Sequence, residues 1–300
     1  MKWARGIKSD GTEVTGVVSD EMLEPRAALG SATATGDPIA LADLTLVAPV
    51  VPGKFIGLWN NYKAAAEKGG MAHPEHPLYF FKADTSLSGP GAEVMLPTAA
   101  GRVVFEGELG IVIGKTCKNV APDNAEDMIF GYTCINDFTS LDVLNADPSF
   151  PQWTRAKSFD GFGVVGPVIE TDVDWSTLTI KVMVNDRERQ SYPAADMILS
   201  PAQIVSCLSQ DMTLNAGDVI ACGTSIGARP VKAGMAVDVV IEGIGSVGVT
   251  MVAPPESRSA LSTRPIRPRP QTMTWSLSSS MVFFIFRVPR MRLSSPSATS

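Results

Sequence analysis

The sequence is short of the residues that most often announce chemistry. Only two histidines occur in 300 residues, His73 and His76, both in the segment AHPEHP. The four cysteines (Cys117, Cys134, Cys207, Cys222) are widely spaced and form no CxxC pair. That excludes the common zinc spacings and reads as buried free thiols in a reducing cytoplasm. The GxGxxG and P-loop spacings are missing as well, so no nucleotide-binding fingerprint is predicted. The N-terminal stretch MKWARGIKSDG has no apolar core, and secretion is not indicated. The one apolar run of the C-terminal segment, residues 281–286, falls far short of the ~20 residues a membrane-spanning helix needs.

Acidic residues are absent after Glu256, where seven arginines follow (Arg258, Arg264, Arg267, Arg269, Arg287, Arg290, Arg292). The overall net charge is −6, which argues against a nucleic-acid partner. The Ser-, Pro- and Arg-rich residues 254–300 are read as a disordered basic tail outside the fold. A membrane- or nucleic-acid-binding arm is the alternative.

What the chain does have is glycine and proline, 26 and 22 residues, and many short apolar segments between them. Residues 1–48 read as a small N-terminal β unit with a turn at Ser9-Asp10-Gly11. A proline-marked linker (Pro49, Pro52) leads to residues 49–253, where strands such as PLYFF, GAEVMLP, LTIKVMVND and MAVDVVIEG predominate. Helices are predicted at NNYKAAAEKGG, closed by Gly69-Gly70, and at residues 124–130 and 200–209, the last with Pro201 in its first turn. No βαβ alternation appears, so the expected class is α+β, mostly β, with a mixed, barrel-like sheet.

One strand is faulty. VVFEGELGIVIGK is apolar at both ends, yet Glu106 and Glu108 stand two apart in its middle and would emerge on one face. Two adjacent carboxylates repel, and burial of either without a partner is costly. A divalent metal is one answer, with Asp137 of GYTCINDFTSLD as a third hard ligand. The other is a half-exposed strand whose carboxylates face water, with Asp137 capping a turn. Lys157, in WTRAKSFDGFG, is either a solvated lysine or a cation for a carboxylate or enolate. The turn in DVIACGTSIGA could offer backbone N–H groups to an anion or simply end a strand.

Taken in order, PLYFFKADTSLSGPG, FEGELGIVIGK, GYTCINDFTSLD, AKSFDGFGVVGP, VNDRERQ and LNAGDVIACGTSIG resemble the fumarylacetoacetate hydrolase family from about Phe55 to Val252. The style is that of its 2-hydroxyhepta-2,4-diene-1,7-dioate isomerase and 5-oxopent-3-ene-1,2,5-tricarboxylate decarboxylase members. The resemblance implies a β-roll core holding one Mg²⁺ or Mn²⁺ on Glu106, Glu108 and Asp137. It assigns Lys82, Lys157, Gln190 and Thr224 to the catalytic set, a 2-oxo acid as substrate, and a homodimer or higher oligomer.

The chain departs from the family pattern where hydrolytic members carry NYxxHxxE. Here Ala65 stands at the histidine position and Lys68 at the glutamate position, with Glu67 one residue early. Leu141 replaces an arginine, Ser225 a proline and Ala194 a threonine. C–C hydrolysis needs a base for water, so the resemblance implies enol–keto isomerisation or decarboxylation of a 2-oxo dicarboxylic acid. Hydrolysis of an acylpyruvate, with His73, Glu75 and His76 closing over the site, is the alternative. A catalytically degenerate acid-binding member is another.

Overall fold

In the computed structural model the described residues are 1–255, which form one compact unit. The expected tail lies, from residue 256 onward, outside them. The chain opens with β1 (Lys2–Ile7) and β2 (Glu13–Ser19), a hairpin closed by the Gly11 N–H donating to the Lys8 carbonyl. Gly11 sits at φ +86°, a backbone conformation that glycine adopts without penalty. β3 (Met22–Arg26), β4 (Ile39–Ala40) and β5 (Thr45–Val47) follow.

Next come β6 (Phe55–Trp59), α1 (Lys63–Gly69), β7 (Leu78–Lys82), β8 (Leu87–Ser88) and β9 (Glu93–Met95). The alanine-rich α1 ends at Gly70, whose left-handed φ of +62° makes the C-cap. The centre of the chain supplies β10 (Val103–Val104), β11 (Gly107–Ile113), β12 (Ile129–Asp137), β13 (Thr139–Ser140), α2 (Leu141–Leu144) and α3 (Trp153–Lys157). β14 (Gly163–Glu170), β15 (Thr179–Val184), β16 (Arg187–Pro193), α4 (Pro201–Asp211), β17 (Val219–Ala221), β18 (Ala236–Ile241) and β19 (Gly245–Val252) complete it. A Ser200–Gln203 capping box with Pro201 behind it starts α4.

The helix expected at residues 124–130 does not form. Two short 3-10 turns, Pro122–Asn124 and Glu126–Met128, stand there, and Ile129 and Phe130 enter β12. Sheet pairing claims the β-branched and aromatic pair, with Ile129 set against Ile113 of β11.

The main sheet has twelve strands in the order β4-β3-β2-β1-β14-β12-β11-β17-β6-β7, with β5 added on β1 and β8 on β14. The N-terminal strands join it where Lys2 pairs with Glu170 and Trp3 with Ile169. A second sheet, β16-β15-β18-β19-β9, packs against one face, and Leu109, Ile111, Ile180, Val182, Val239 and Val249 belong to that shared core. The architecture is mostly β, with helices at the margins.

The other face of the main sheet is concave. β8 follows β7 in the chain and pairs in parallel with β14, Leu87 against Gly163, so the β7 end of the sheet returns beside β14. Phe55, Val112, Ile135, Val165, Ile169 and Val219 fill the enclosed space. Gly163 makes the return possible: a Cβ there would lie 2.5 Å from Phe55 Cε1 and 2.9 Å from Lys82 Cε. Among the described residues no helix is long and apolar enough to cross a membrane.

Candidate metal centre and the cavity beside it

The fault in VVFEGELGIVIGK marks a change of sheet. β10 pairs with β13 in a separate two-stranded ladder, and β11 begins only at Gly107. Glu106 occupies the step between them, where its N–H donates to Asn136 Oδ1 (3.1 Å) and its carbonyl accepts the Asp137 N–H (2.9 Å). Glu108 pairs with Ile135 in the ladder, and Asp137 lies two residues further along β12. Strand alternation puts the Ile135 and Asp137 side chains on one face. One oxygen from each of Glu106, Glu108 and Asp137 lies within 4.8 Å of the others.

Two lysines enter the same space. Lys157, at the end of α3, donates to Glu106 Oε2 (2.5 Å) and Asp137 Oδ2 (2.7 Å). Lys82, at the end of β7, donates to Asp137 Oδ1 (2.5 Å) and to the Lys157 carbonyl. The curl of the sheet is what brings β7 to β12. Gln190 and Thr224 lie at the rim: Gln190 Nε2 donates to Thr224 Oγ1 (2.8 Å) and to the Ser225 carbonyl (3.0 Å), and its Oε1 accepts the Gly107 N–H (3.3 Å). With Thr224 Oγ1 donating to the Gly107 carbonyl (3.0 Å), the Gly-rich turn is fastened to the start of β11.

The carboxylates differ in how they bear burial. Burial pushes Asp137 up, but the ammonium groups of Lys157 and Lys82 outweigh it and hold the carboxyl below its ordinary range. For Glu106 burial prevails over Lys157 and the pKa is raised. Glu108 is raised furthest, by burial and then by the charge of Asp137. Its single hydrogen bond among the described residues comes from the Gly223 N–H, at 2.6 Å. Lys157 loses by burial and gains more from its carboxylates, so it stays an ammonium; Lys82 is lowered, chiefly by burial. Three carboxylates against two ammonium groups leave one negative charge and an under-bonded Glu108. An oxygen-only donor set with excess negative charge fits a hard divalent cation.

A cavity of about 240 Å³ opens next to Glu106 and Lys157. Asn60, Thr224 and Ser225 share its polar end with those two, while Leu58, Trp59, Phe80, Leu144 and Trp153 form its wall. Trp153 stacks on Phe80 at 13°, centroids 5.6 Å apart, and Trp59 leans on Trp153 at 5.5 Å. The Lys157 ammonium lies 5.1 Å from the Phe80 centroid, a cation–π contact.

Three of the departures from the family pattern, Ala65, Leu141 and Ser225, line this cavity, with Met71 beside them. Glu67 and Lys68 face solvent, and Ala194 is buried in a turn after β16. His73, Glu75 and His76 are exposed on the loop before β7 and line a neighbouring hollow with Trp59, Asn60 and Met71. Sequence reading passed over the aromatic wall. A signal for it existed: Phe80 stands two before Lys82 on a strand, and Trp153 four before Lys157 on a helix, so each shares its lysine's face.

Residues 54–252 match the family model described as fumarylacetoacetate (FAA) hydrolase C-terminal. The chain belongs to the fumarylacetoacetate hydrolase family. An uncharacterized protein of Archaeoglobus fulgidus is 43% identical over 217 residues, which span 72% of this chain and 86% of that protein. The crystal structure of 2-hydroxyhepta-2,4-diene-1,7-dioate isomerase from Mycobacterium marinum matches with a TM-score of 0.76 and 36% identity, over 84% of this chain and 98% of that one. Maleylpyruvate hydrolase from Sphingobium sp. SYK-6, solved in complex with manganese(II) ion and pyruvate, matches with a TM-score of 0.69 and 31% identity, over 85% and 100%. The family neighbours of this chain thus include both isomerases and hydrolases.

Proposed function

We propose that this member of the family is a divalent-metal-dependent enzyme acting on a 2-oxo or 2-hydroxydienoic dicarboxylic acid by enol–keto isomerisation or decarboxylation in the breakdown of aromatic compounds. The observation that carries the reading is the Glu106–Glu108–Asp137 cluster at the end of a cavity that no histidine lines among the described residues. Mg²⁺ or Mn²⁺ held by those three carboxylates would supply a Lewis acid that favours the enolate form of a 2-oxo acid. Lys157, kept charged by its carboxylates, offers a fixed positive group to the substrate carboxylate or to negative charge developing on the enolate. Lys82, with its pKa lowered by burial, fixes Asp137 through its ammonium. Thr224 presents its hydroxyl at the polar end, and Gln190 holds the Thr224 turn in place. The aromatic wall keeps water away from the reacting carbon.

C–C hydrolysis is the second reading, supported by the likeness to maleylpyruvate hydrolase, and a silent acid-binding member is the third. In the same reading the curled sheet is a barrel-like core, residues 1–48 are a small domain upon it, and copies associate as a homodimer or larger oligomer in the cytoplasm. Incubating the Mn²⁺- or Mg²⁺-supplemented protein with 2-hydroxydienedioates, oxaloacetate and acylpyruvates separates the alternatives. Isomerisation or decarboxylation without acylpyruvate cleavage is the expected result. Fast acylpyruvate cleavage would overturn the weight placed on Ala65, and metal binding with no turnover would favour the silent member.

A further inference from the structure

We infer that Tyr192 is a positioning residue for the carboxylate cluster: its hydroxyl, donated to the Gly107 carbonyl, fixes the peptide from which Glu106 and Glu108 project. The inference rests on the reading of Glu106, Glu108 and Asp137 as metal ligands and deepens it. The need for a side chain arises where β17 stops. Backbone groups of successive strand residues point to opposite neighbours. Glu106 turns its carbonyl to β12, where it accepts the Asp137 N–H, and Leu109 turns its own the other way, where it accepts the Cys222 N–H. Gly107, in step with Leu109, faces that second side. There β17 pairs with Gly110, Ile111 and Val112, so it does not reach Gly107. Gly107 is buried, and its N–H and carbonyl need partners.

Side chains take the place of the missing strand. Gln190 Oε1 accepts the Gly107 N–H at 3.3 Å, Thr224 Oγ1 donates to its carbonyl at 3.0 Å, and the Tyr192 hydroxyl donates to the same oxygen. Gln190 and Tyr192 stand two apart on β16, so alternation turns both to its buried face. They belong to the second sheet, which presses closely on this peptide: a Cβ on Gly107 would lie 2.3 Å from Val182 Cγ2. Tyr192 is buried and does not line the cavity, whereas Thr224 does. Edge-on packing against Tyr62, centroids 4.8 Å apart, holds its ring. Tyr192 therefore acts through Gly107. Drift of that one peptide would move two of the three carboxylates at once, and ligands held in place by such outer partners take up an ion more tightly.

The test is Tyr192→Phe in the full-length protein, which keeps the ring and its packing and removes only the hydroxyl. The Gly107 carbonyl keeps its bond from Thr224, so no buried acceptor is left empty and the fold stands. Mn²⁺ affinity by calorimetry is expected to fall about tenfold. The electron paramagnetic resonance spectrum of the bound Mn²⁺ is expected to broaden as its ligands take more than one arrangement. Val249→Ala is the control for general loosening, since Val249 lies in the core shared by the two sheets and takes no part in the three bonds to Gly107. It is expected to lower the urea midpoint and leave affinity and spectrum unchanged. Unchanged affinity and spectrum in Tyr192→Phe, or an equal loss of affinity in Val249→Ala, overturns the inference and leaves the metal reading standing. No Mn²⁺ binding by the unsubstituted protein, or unchanged binding by Glu108→Gln, overturns both.

Discussion

Two buried carboxylate sites on the same sheet make opposite use of burial. Asp218, just before β17, accepts the Lys54 N–H at 2.8 Å and the Asn215 N–H at 2.7 Å, and pairs with the Lys54 ammonium at 2.6 Å. Each of its oxygens is satisfied, and it fastens the start of β17 to the segment before β6. Glu108 is as deeply buried, yet one backbone N–H serves its carboxylate while Glu106 and Asp137 repel it. Burial alone therefore does not mark a site. A shortage of donors around buried negative charge does, because that charge must be met by a proton or by an added cation.

Removing the satisfied carboxylate has the largest effect on stability. Asp218→Ala leaves two N–H groups and an ammonium without their acceptor and is expected to cost about 3 kcal/mol, seen in urea unfolding. The folded fraction should bind Mn²⁺ as before; a joint loss of metal binding would dissolve the contrast. Glu108→Gln breaks the comparison from the other side. The amide keeps an oxygen for the Gly223 N–H and drops the strained charge, so the metal-free protein should be unchanged or about 1 kcal/mol more stable. Mn²⁺ affinity by calorimetry should fall at least about 100-fold. Unchanged affinity would sink the assignment of the three ligands.

The smallest effect sharpens the rule at a half-buried position. Burial, then the neighbouring charge of Asp186, raises the pKa of Asp238. A folded pKa above the unfolded one means stability is lost as pH rises through the folded value, where the carboxyl must ionise in the native state. Asp238→Asn removes that loss and should raise the melting temperature near pH 7, with the difference vanishing below the ordinary carboxylate range. Solvent screening keeps the gain to a few tenths of a kcal/mol.

The paired glutamates were legible because alternation is a local rule: Glu106 and Glu108 are two apart, and Asp137 closes an apolar strand. Lys82, Lys157, Gln190 and Thr224 were legible only through the order of segments, since a lysine before a glycine-rich turn or a glutamine in a hairpin carries no local signal. The break at Phe105 and Glu106 could not be read, because Val103 and Val104 look the same whether they pair with β13 or continue β11. Nor could the curl, which depends on Leu87 meeting Gly163, 76 positions along the chain. Trp59, Phe80 and Trp153 carried no signal of a cavity, for an aromatic residue that lines one has the same pattern as one that fills a core.

The return of β8 to β14 also sets when the site comes into being. Lys82 and Asp137 are 55 positions apart in the chain, and Glu108 and Gly223 are 115 apart. Hairpins such as β1–β2 close early and cheaply in loop entropy, whereas contacts of this span wait for most of the sheet. A partly folded chain thus holds the three carboxylates and their partners scattered on separate hairpins. The proposed capacity for a divalent ion would then belong to the finished molecule, and an ion that recognises only that state would draw the folding equilibrium toward it by mass action.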